Sequence, residues 1–276
     1  MTVPTIQLNS GASIPQLGFG VFKVDPEETE RIVTDALEVG YRHLDTAHIY
    51  GNEAGVGKAI ADSGIAREDL YITTKLWNSD QGTQSALDAF ELSLEKLGLD
   101  HVDLYLIHWP SAHRGLFVES WKALEQIAAS GRATSIGVSN FKPHHLEPLL
   151  AAADIVPAVN QIELHPYFQQ RETVAANEAN GIVTEAWGPL GQGALPDDAA
   201  VLEIAEKYGK TVAQTVIRWH LDVGNVVFPK SNRRERMAEN FDVLDFQLTP
   251  DEVAVIRALD KGEAGRKGSD PDTATF

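Results

Sequence analysis

The chain has no cysteine among its 276 residues, which excludes disulfide staples, thiolate metal sites and a cysteine nucleophile together. Basic residues are scarce as well. The 23 Lys and Arg against 40 Asp and Glu leave a formal net charge of −17, and a field of that sign repels the phosphate backbone of nucleic acids. No apolar run approaches the roughly 20 residues of a membrane helix. The start, Met1-Thr2-Val3-Pro4, lacks the basic-then-apolar order of an export leader. A soluble, cytoplasmic protein is the expectation. A G-x-G-x-x-G fingerprint is also missing after the first apolar run, where Gly18-Phe19-Gly20 stops short of one.

Short apolar runs, by contrast, recur along the whole chain. Gln16–Gly20, His43–Thr46, Leu70–Leu76, Asp103–His108, Ser135–Ser139, Val159–Leu164, Ile182–Trp187 and Val226–Phe228 each read as a strand buried on both faces of a parallel sheet. Helix signals separate them. Asp25-Pro26-Glu27-Glu28 gives an N-cap, a proline at the first helical position and a glutamate in the capping-box position; Gly40 stops the helix. Leu87, Phe90, Leu94 and Leu97 form an apolar stripe before Gly98, as Trp121, Leu124 and Ile127 do before Gly131. Strict alternation of eight strands with helices predicts an α/β fold, the (β/α)8 TIM barrel, in preference to an open doubly wound sheet. Thr5–Leu8 and Ser13–Ile14 flank the turn signal Asn9-Ser10-Gly11, so an N-terminal β-hairpin (1–15) is expected to plug the bottom. No linker divides residues 1–276, and the Gly-, Asp- and Thr-rich segment 261–276 reads as a mobile tail.

In a barrel the working face lies at the C-terminal ends of the strands. Asp45, Lys75, His108, Ser139-Asn140, Gln161, Trp187 and Lys230-Ser231 all fall there, with Tyr50 a few residues past its strand. A free phenol titrates near pH 10. An ammonium about 4 Å away, at an effective dielectric near 20, favours the phenolate by up to about 4 kcal/mol. Lys75 is therefore expected to lower Tyr50, with Asp45 holding Lys75 charged. Tyr50 would then donate a proton to an oxygen becoming an alkoxide, and His108 would donate a second hydrogen bond to it. Alone, an Asp–Lys pair in a barrel is often only structural, and a histidine before Trp109-Pro110 is often a core residue. Lys230, Arg233, Arg234 and Arg236 likewise form a basic cluster that a solvated helix face would explain.

Three ordered motifs narrow these alternatives. Gly40-Tyr41-Arg42-His43-Leu44-Asp45-Thr46-Ala47 with Glu53 and Gly57, Ile136-Gly137-Val138-Ser139-Asn140-Phe141, and Pro229-Lys230-Ser231 with Arg236, Glu239 and Asn240 resemble the three signatures of the aldo-keto reductases. Asn160-Gln161-Ile162-Glu163-Leu164-His165-Pro166 and Trp187-Gly188-Pro189-Leu190-Gly191-Gln192-Gly193 are most similar to the bacterial 2,5-diketo-D-gluconate reductase branch. The resemblance implies Asp45, Tyr50, Lys75 and His108 as a catalytic tetrad. It implies NADPH bound without a Rossmann fold, with Ser139, Asn140 and Gln161 on the carboxamide and Trp187 stacked on the nicotinamide. Gly188, Leu190, Gln192 and Gly193 would lie along the pyrophosphate. Lys230, Ser231, Asn232 and Arg236 would take the 2′-phosphate, and Glu239 and Asn240 the adenine. No metal is implied.

The expected function is NADPH-dependent reduction of a small-molecule aldehyde or ketone by a monomer. A Schiff-base aldolase using Lys75, or a non-catalytic NADPH-binding subunit, are the rivals. His48, Trp77, His108 and Trp109 are the expected substrate contacts. Small dicarbonyls, keto-sugar acids such as 2,5-diketo-D-gluconate, and aromatic aldehydes all fit an open pocket.

Overall fold

The computed structural model describes residues 2–193 and 198–276. An antiparallel hairpin comes first, β1 (Thr5–Gln7) against β2 (Ser13–Pro15), with Ile6 opposite Ile14. Eight parallel strands follow in one sheet: β3 (Phe19–Gly20), β4 (His43–Asp45), β5 (Tyr71–Leu76), β6 (Val102–Ile107), β7 (Ala133–Ser139), β8 (Val159–Glu163), β9 (Val183–Trp187) and β10 (Val226–Val227). Their order in space is their order in the chain. All eight expected strands are present, with ends shifted by one to three residues. The largest shift is informative. The run Gln16–Gly20 serves two neighbours: Phe19 and Gly20 pair with β4, whereas Leu17 bridges Val227, whose N–H donates to the Gln16 carbonyl at 2.8 Å. That second pairing closes the sheet into the (β/α)8 barrel.

Side chains alternate along every strand. Ile72, Tyr105, Ile107, Ile136 and Val138 point outward into one apolar layer with helix residues such as Ile32, Val33, Phe90, Leu94, Trp121 and Leu124. Tyr71, Leu104, Leu106, Val159 and Val226 point inward and pack on Leu8 and Ile14 of the hairpin. Asn9 Nδ2 donates to the carbonyls of Pro157 and Gly181, and the Ser10 hydroxyl meets that of Ser135 at 2.8 Å. The hairpin thus seals the end of the barrel where the strands begin. The same alternation sends Asp45, Lys75, Ser139, Gln161 and Trp187 inward at the other end.

Helix 26–39 begins as expected at Asp25, whose carboxylate accepts from the Glu27 N–H at 3.0 Å, and ends at Gly40 with φ 125°. Glu28 does not reach back to complete a capping box; it pairs with Arg31 instead. Helices 53–62 and 83–97 touch at Gly57, where an added Cβ would run into the Leu97 carbonyl. Backbone cannot yield there as a side-chain end would. Gly57→Ala should therefore lower stability by about 1–3 kcal/mol through overpacking, although alanine gains about 1 kcal/mol in helix propensity. A thermal unfolding midpoint at or above that of the parent chain would show that the two helices separate without strain.

Candidate active site

Lys75 is the penultimate residue of β5, with its side chain entirely buried. Its Nζ donates to Asp45 Oδ1 and to the Thr46 carbonyl, each at 2.8 Å, and stands 5.2 Å from the centroid of the Tyr50 ring. Burial alone would strip its proton, but Asp45 and Tyr50 outweigh that penalty and hold Lys75 above the ordinary lysine range. His108, one residue past β6, lies with its ring centroid 5.7 Å from that of Tyr50, edge to face. Burial and the Lys75 charge push His108 well below the usual histidine range, so its imidazole is neutral. Its backbone carbonyl accepts from Asn140 Nδ2 at 2.9 Å.

The expectation for Tyr50 is overturned in direction. Burial raises the phenol above its ordinary value and Asp45 adds to the rise; Lys75 lowers it through charge and hydrogen bonding, but not enough. Desolvation of the phenolate is the larger effect. Tyr50 thus holds its proton more firmly than a free phenol.

A cavity of about 920 Å³ opens over Asp45, Tyr50 and His108, with Lys75 outside its lining. Phe22, Ile49, Trp77, Trp109 and Phe276 make its apolar wall. Trp77 packs edge-on against His108 at 5.1 Å and lies parallel to Phe276 at 5.8 Å. The structure therefore brings Trp77, His108 and Trp109 together, but His48 is not part of this lining. Its Nδ1 faces Glu53 Oε2 at 3.5 Å, because the 48–50 turn points the imidazole back toward the helix that follows.

Along the other side lie Ser139, Asn140, Gln161, Trp187, Gly188, Leu190, Gln192 and Lys230. Asn140 sits at φ 64°, a left-handed conformation asparagine tolerates better than most residues. There its Oδ1 accepts the Trp187 indole N–H at 2.8 Å while its Nδ2 donates to the His108 backbone carbonyl, so one side chain ties the Trp187 ring to the end of β6. Gly188, Gln192 and Gly193 all have positive φ, the left-handed region that glycine enters without strain. Ser231, Asn232, Arg236, Glu239 and Asn240 lie outside the lining, beyond Lys230. Arg236 pairs with Glu239 at 3.2 Å, and Asn240 is buried in helix 234–241. Arg234 is drawn away from the cavity by Asp35 and Glu38.

Two further parts of the lining and one buried acid beneath it bear on the site. Lys23, at φ 57°, stands beside Lys230, whose Nζ reaches the Lys23 carbonyl at 3.3 Å; partial burial and the Lys23 charge lower Lys230. Glu185 lies beneath Gln161 on β9, and only its alternation with Trp187 marked it as inward-facing. The third is the segment 261–276, read from composition as a mobile tail, which follows a defined course across the mouth. Lys267 N and Gly268 N donate to the Glu163 carboxylate at 2.7 and 2.8 Å. A Cβ on Gly268 would strike the Trp187 ring. Lys142 pairs with Asp270 at 2.6 Å and Asp272 at 2.7 Å, and His144 meets Asp272 at 2.8 Å.

His144, His145 and Asp272 bring ligand-type atoms within 4.8 Å of one another. Their hydrogen bonds are those of a latch. His145 Nδ1 accepts the Lys142 N–H, which leaves Nε2–H to face Asp272, and the Lys142 ammonium occupies the other carboxylate oxygen.

The sequence model of the aldo/keto reductase family matches residues 16–261, and this chain belongs to that family. It is 50% identical over 275 residues to methylglyoxal reductase DkgA of Salmonella typhimurium, covering 99% of this chain and 98% of that one. It is 48% identical over 290 residues to morphine 6-dehydrogenase of Pseudomonas putida, covering 99% and 97%. A crystal structure of a Gox0644 mutant in complex with NADPH matches all of both chains with a TM-score of 0.96 at 47% identity.

The tail contacts generate an expectation of their own. Replacing both Asp270 and Asp272 by Ala should raise amide hydrogen exchange across 269–276 by about tenfold or more, with exchange in the barrel strands unchanged. Unaltered tail exchange would show that Lys142, His144 and His145 do not hold it.

Proposed function

We propose that this protein is an NADPH-dependent carbonyl reductase in which Tyr50 is the proton donor, Lys75 and Asp45 set its proton affinity, and neutral His108 orients the carbonyl. The observation that carries this reading is the fully buried Lys75–Asp45 pair beneath a phenol that shares an open mouth with a neutral imidazole.

The residues around the mouth fit the cofactor. Lys23 and Lys230 put two cations side by side at one end, which suits an anionic phosphate chain. The glycine-rich backbone at 188–193 allows close approach. Gln161 lines the inner end with polar amide, and the Trp187 ring is fixed there by Asn140. Ser139, Asn140, Gln161 and Trp187 would hold the nicotinamide end, Gly188, Leu190, Gln192 and Gly193 the pyrophosphate, and Lys230, Ser231, Asn232 and Arg236 the 2′-phosphate. Glu239 and Asn240 would flank the adenine. When bound, the dihydronicotinamide supplies the hydride that reduces the carbonyl carbon. Tyr50 gives its proton to the carbonyl oxygen, and the nearby Lys75 ammonium stabilises the phenolate left behind. His108 donates a hydrogen bond to the same oxygen and keeps it facing Tyr50.

Lys75 is held charged by Asp45 and Tyr50, which disfavours a Schiff-base nucleophile. The complete set of proton-handling groups disfavours a non-catalytic subunit. The substrate class we favour is small dicarbonyls, keto-sugar acids and aromatic aldehydes, received by Trp77, Trp109 and His108. DkgA is named for methylglyoxal reduction, which supports the dicarbonyl member. Among the described residues no helix is long and apolar enough to cross a membrane, and we place the protein in the cytoplasm as a monomer.

Tyr50→Phe should lower kcat for methylglyoxal by about a thousandfold, the middle of the range for loss of a general acid, with NADPH affinity by tryptophan quenching changed less than about twofold. Turnover within tenfold of the parent would remove Tyr50 from the mechanism. Arg236→Ala should raise the KM for NADPH about tenfold or more, the scale of one lost charge-assisted contact, and leave the KM for NADH nearly unchanged. Equal effects on the two would show that Arg236 does not meet the 2′-phosphate.

A further inference from the structure

Beneath the four reacting residues lies an acid that none of these roles uses. Glu185 points inward from β9, entirely buried, in register with Gln161 of β8. Gln161 Nε2 donates one hydrogen bond to Glu185 Oε2 and the other to Asp45 Oδ2, each at 2.9 Å. Asp45, ion-paired with Lys75, can only accept, and this fixes the orientation of the amide. Its nitrogen faces down between two carboxyl groups. Its oxygen, which takes no hydrogen bond among the described residues, is left for the mouth. Asp45, with one oxygen on Gln161, keeps the other for Lys75.

We propose that Glu185 is a positioning residue for carbonyl reduction: by sharing the Gln161 amide with Asp45, it turns the Gln161 oxygen toward the cofactor and fixes the carboxylate that holds Lys75. This rests on the reductase reading above and adds a residue to it.

The surroundings of Glu185 give the link a pH dependence. The groups that act on it across the barrel are Asp45 from β4 and Lys75 and Tyr71 from β5, with His43 of β4 packed on Tyr71 at 4.9 Å; Gln161 and Val226, its partners on the flanking strands, do not titrate. Burial and Asp45 push Glu185 up to about 8, against the pull of Gln161 and Lys75. Its Oε1 and the Tyr71 hydroxyl are buried without a hydrogen bond, and burial with the Glu185 charge raises Tyr71 further. At neutral pH the carboxyl is therefore uncharged. As the pH rises through about 8 it ionises. A second carboxylate charge below Asp45 then opposes the negative charge that Tyr50 acquires when its proton leaves.

The test compares the parent chain with Glu185→Gln and Glu185→Leu, using NADPH and methylglyoxal from pH 6 to 9.5. In the parent, kcat should fall by about tenfold or more as Glu185 ionises. Glu185→Gln keeps an acceptor for Gln161 and cannot ionise. It should match the parent within about twofold at pH 6.5 and lose the alkaline fall. Glu185→Leu leaves a Gln161 N–H unpartnered. It should raise the KM for NADPH and lower kcat, each by about tenfold, at every pH. An alkaline fall retained in Glu185→Gln, or parent-like constants in Glu185→Leu, would overturn the proposal. If the leucine variant does not fold, by circular dichroism, the glutamine variant decides alone. NADPH affinity from tryptophan quenching across the same pH range separates the two layers. A parent that binds NADPH but reduces no carbonyl sinks the reductase reading, and Glu185 is then judged by whether the glutamine variant abolishes a pH dependence of binding. A parent that does not bind NADPH ends both.

Discussion

One buried ion pair sets the terms for the rest of the mouth. An ammonium group taken wholly out of water is costly, and a carboxylate beside it recovers that cost only with further hydrogen bonds. Lys75 has them: Asp45 on one side and the Thr46 carbonyl on the other. Asp45 in turn is steadied by Gln161. Removing either member of such a pair leaves a lone buried charge, a loss of about 3–5 kcal/mol in comparable cases. Burial, helped by the charge of Lys75, keeps His108 neutral, and the same charge lowers Tyr50 against its burial. Acid strength in this mouth is therefore decided by the balance of one cation against several desolvated groups.

Strand order makes that balance available. Asp45, Lys75 and His108 come from three consecutive strands, whose parallel pairing brings their C-terminal ends to one rim. Because alternate residues face inward, these polar groups share the interior with Ser139, Gln161 and Trp187, while their immediate neighbours face the helices. The apolar runs and the polar residues ending them were visible in the letters for this reason. A parallel strand buried on both sides must be nearly all apolar, and a polar residue at its end then stands out.

Other features depend on distance in space and leave no local mark. Gln16–Gly20 looks like one strand because the letters cannot show that its two halves pair with opposite neighbours. The tail 261–276 has a loop's composition, but its backbone N–H groups end on Glu163 and its acids on Lys142 and His144, more than a hundred residues away in the chain. His48 sits next to lining residues in sequence, yet the turn that carries it faces Glu53. The direction of the Tyr50 shift is hidden for another reason. Spacing suggests which charge is near, but not how much water the phenol loses.

The hairpin at the opposite end has a consequence for traffic. With Leu8 and Ile14 packed against the first residues of the strands, the cylinder is a cup and not a tube. Whatever enters must leave by the same rim. Two molecules that occupy it at different depths must load and unload serially, the deeper one first in and last out.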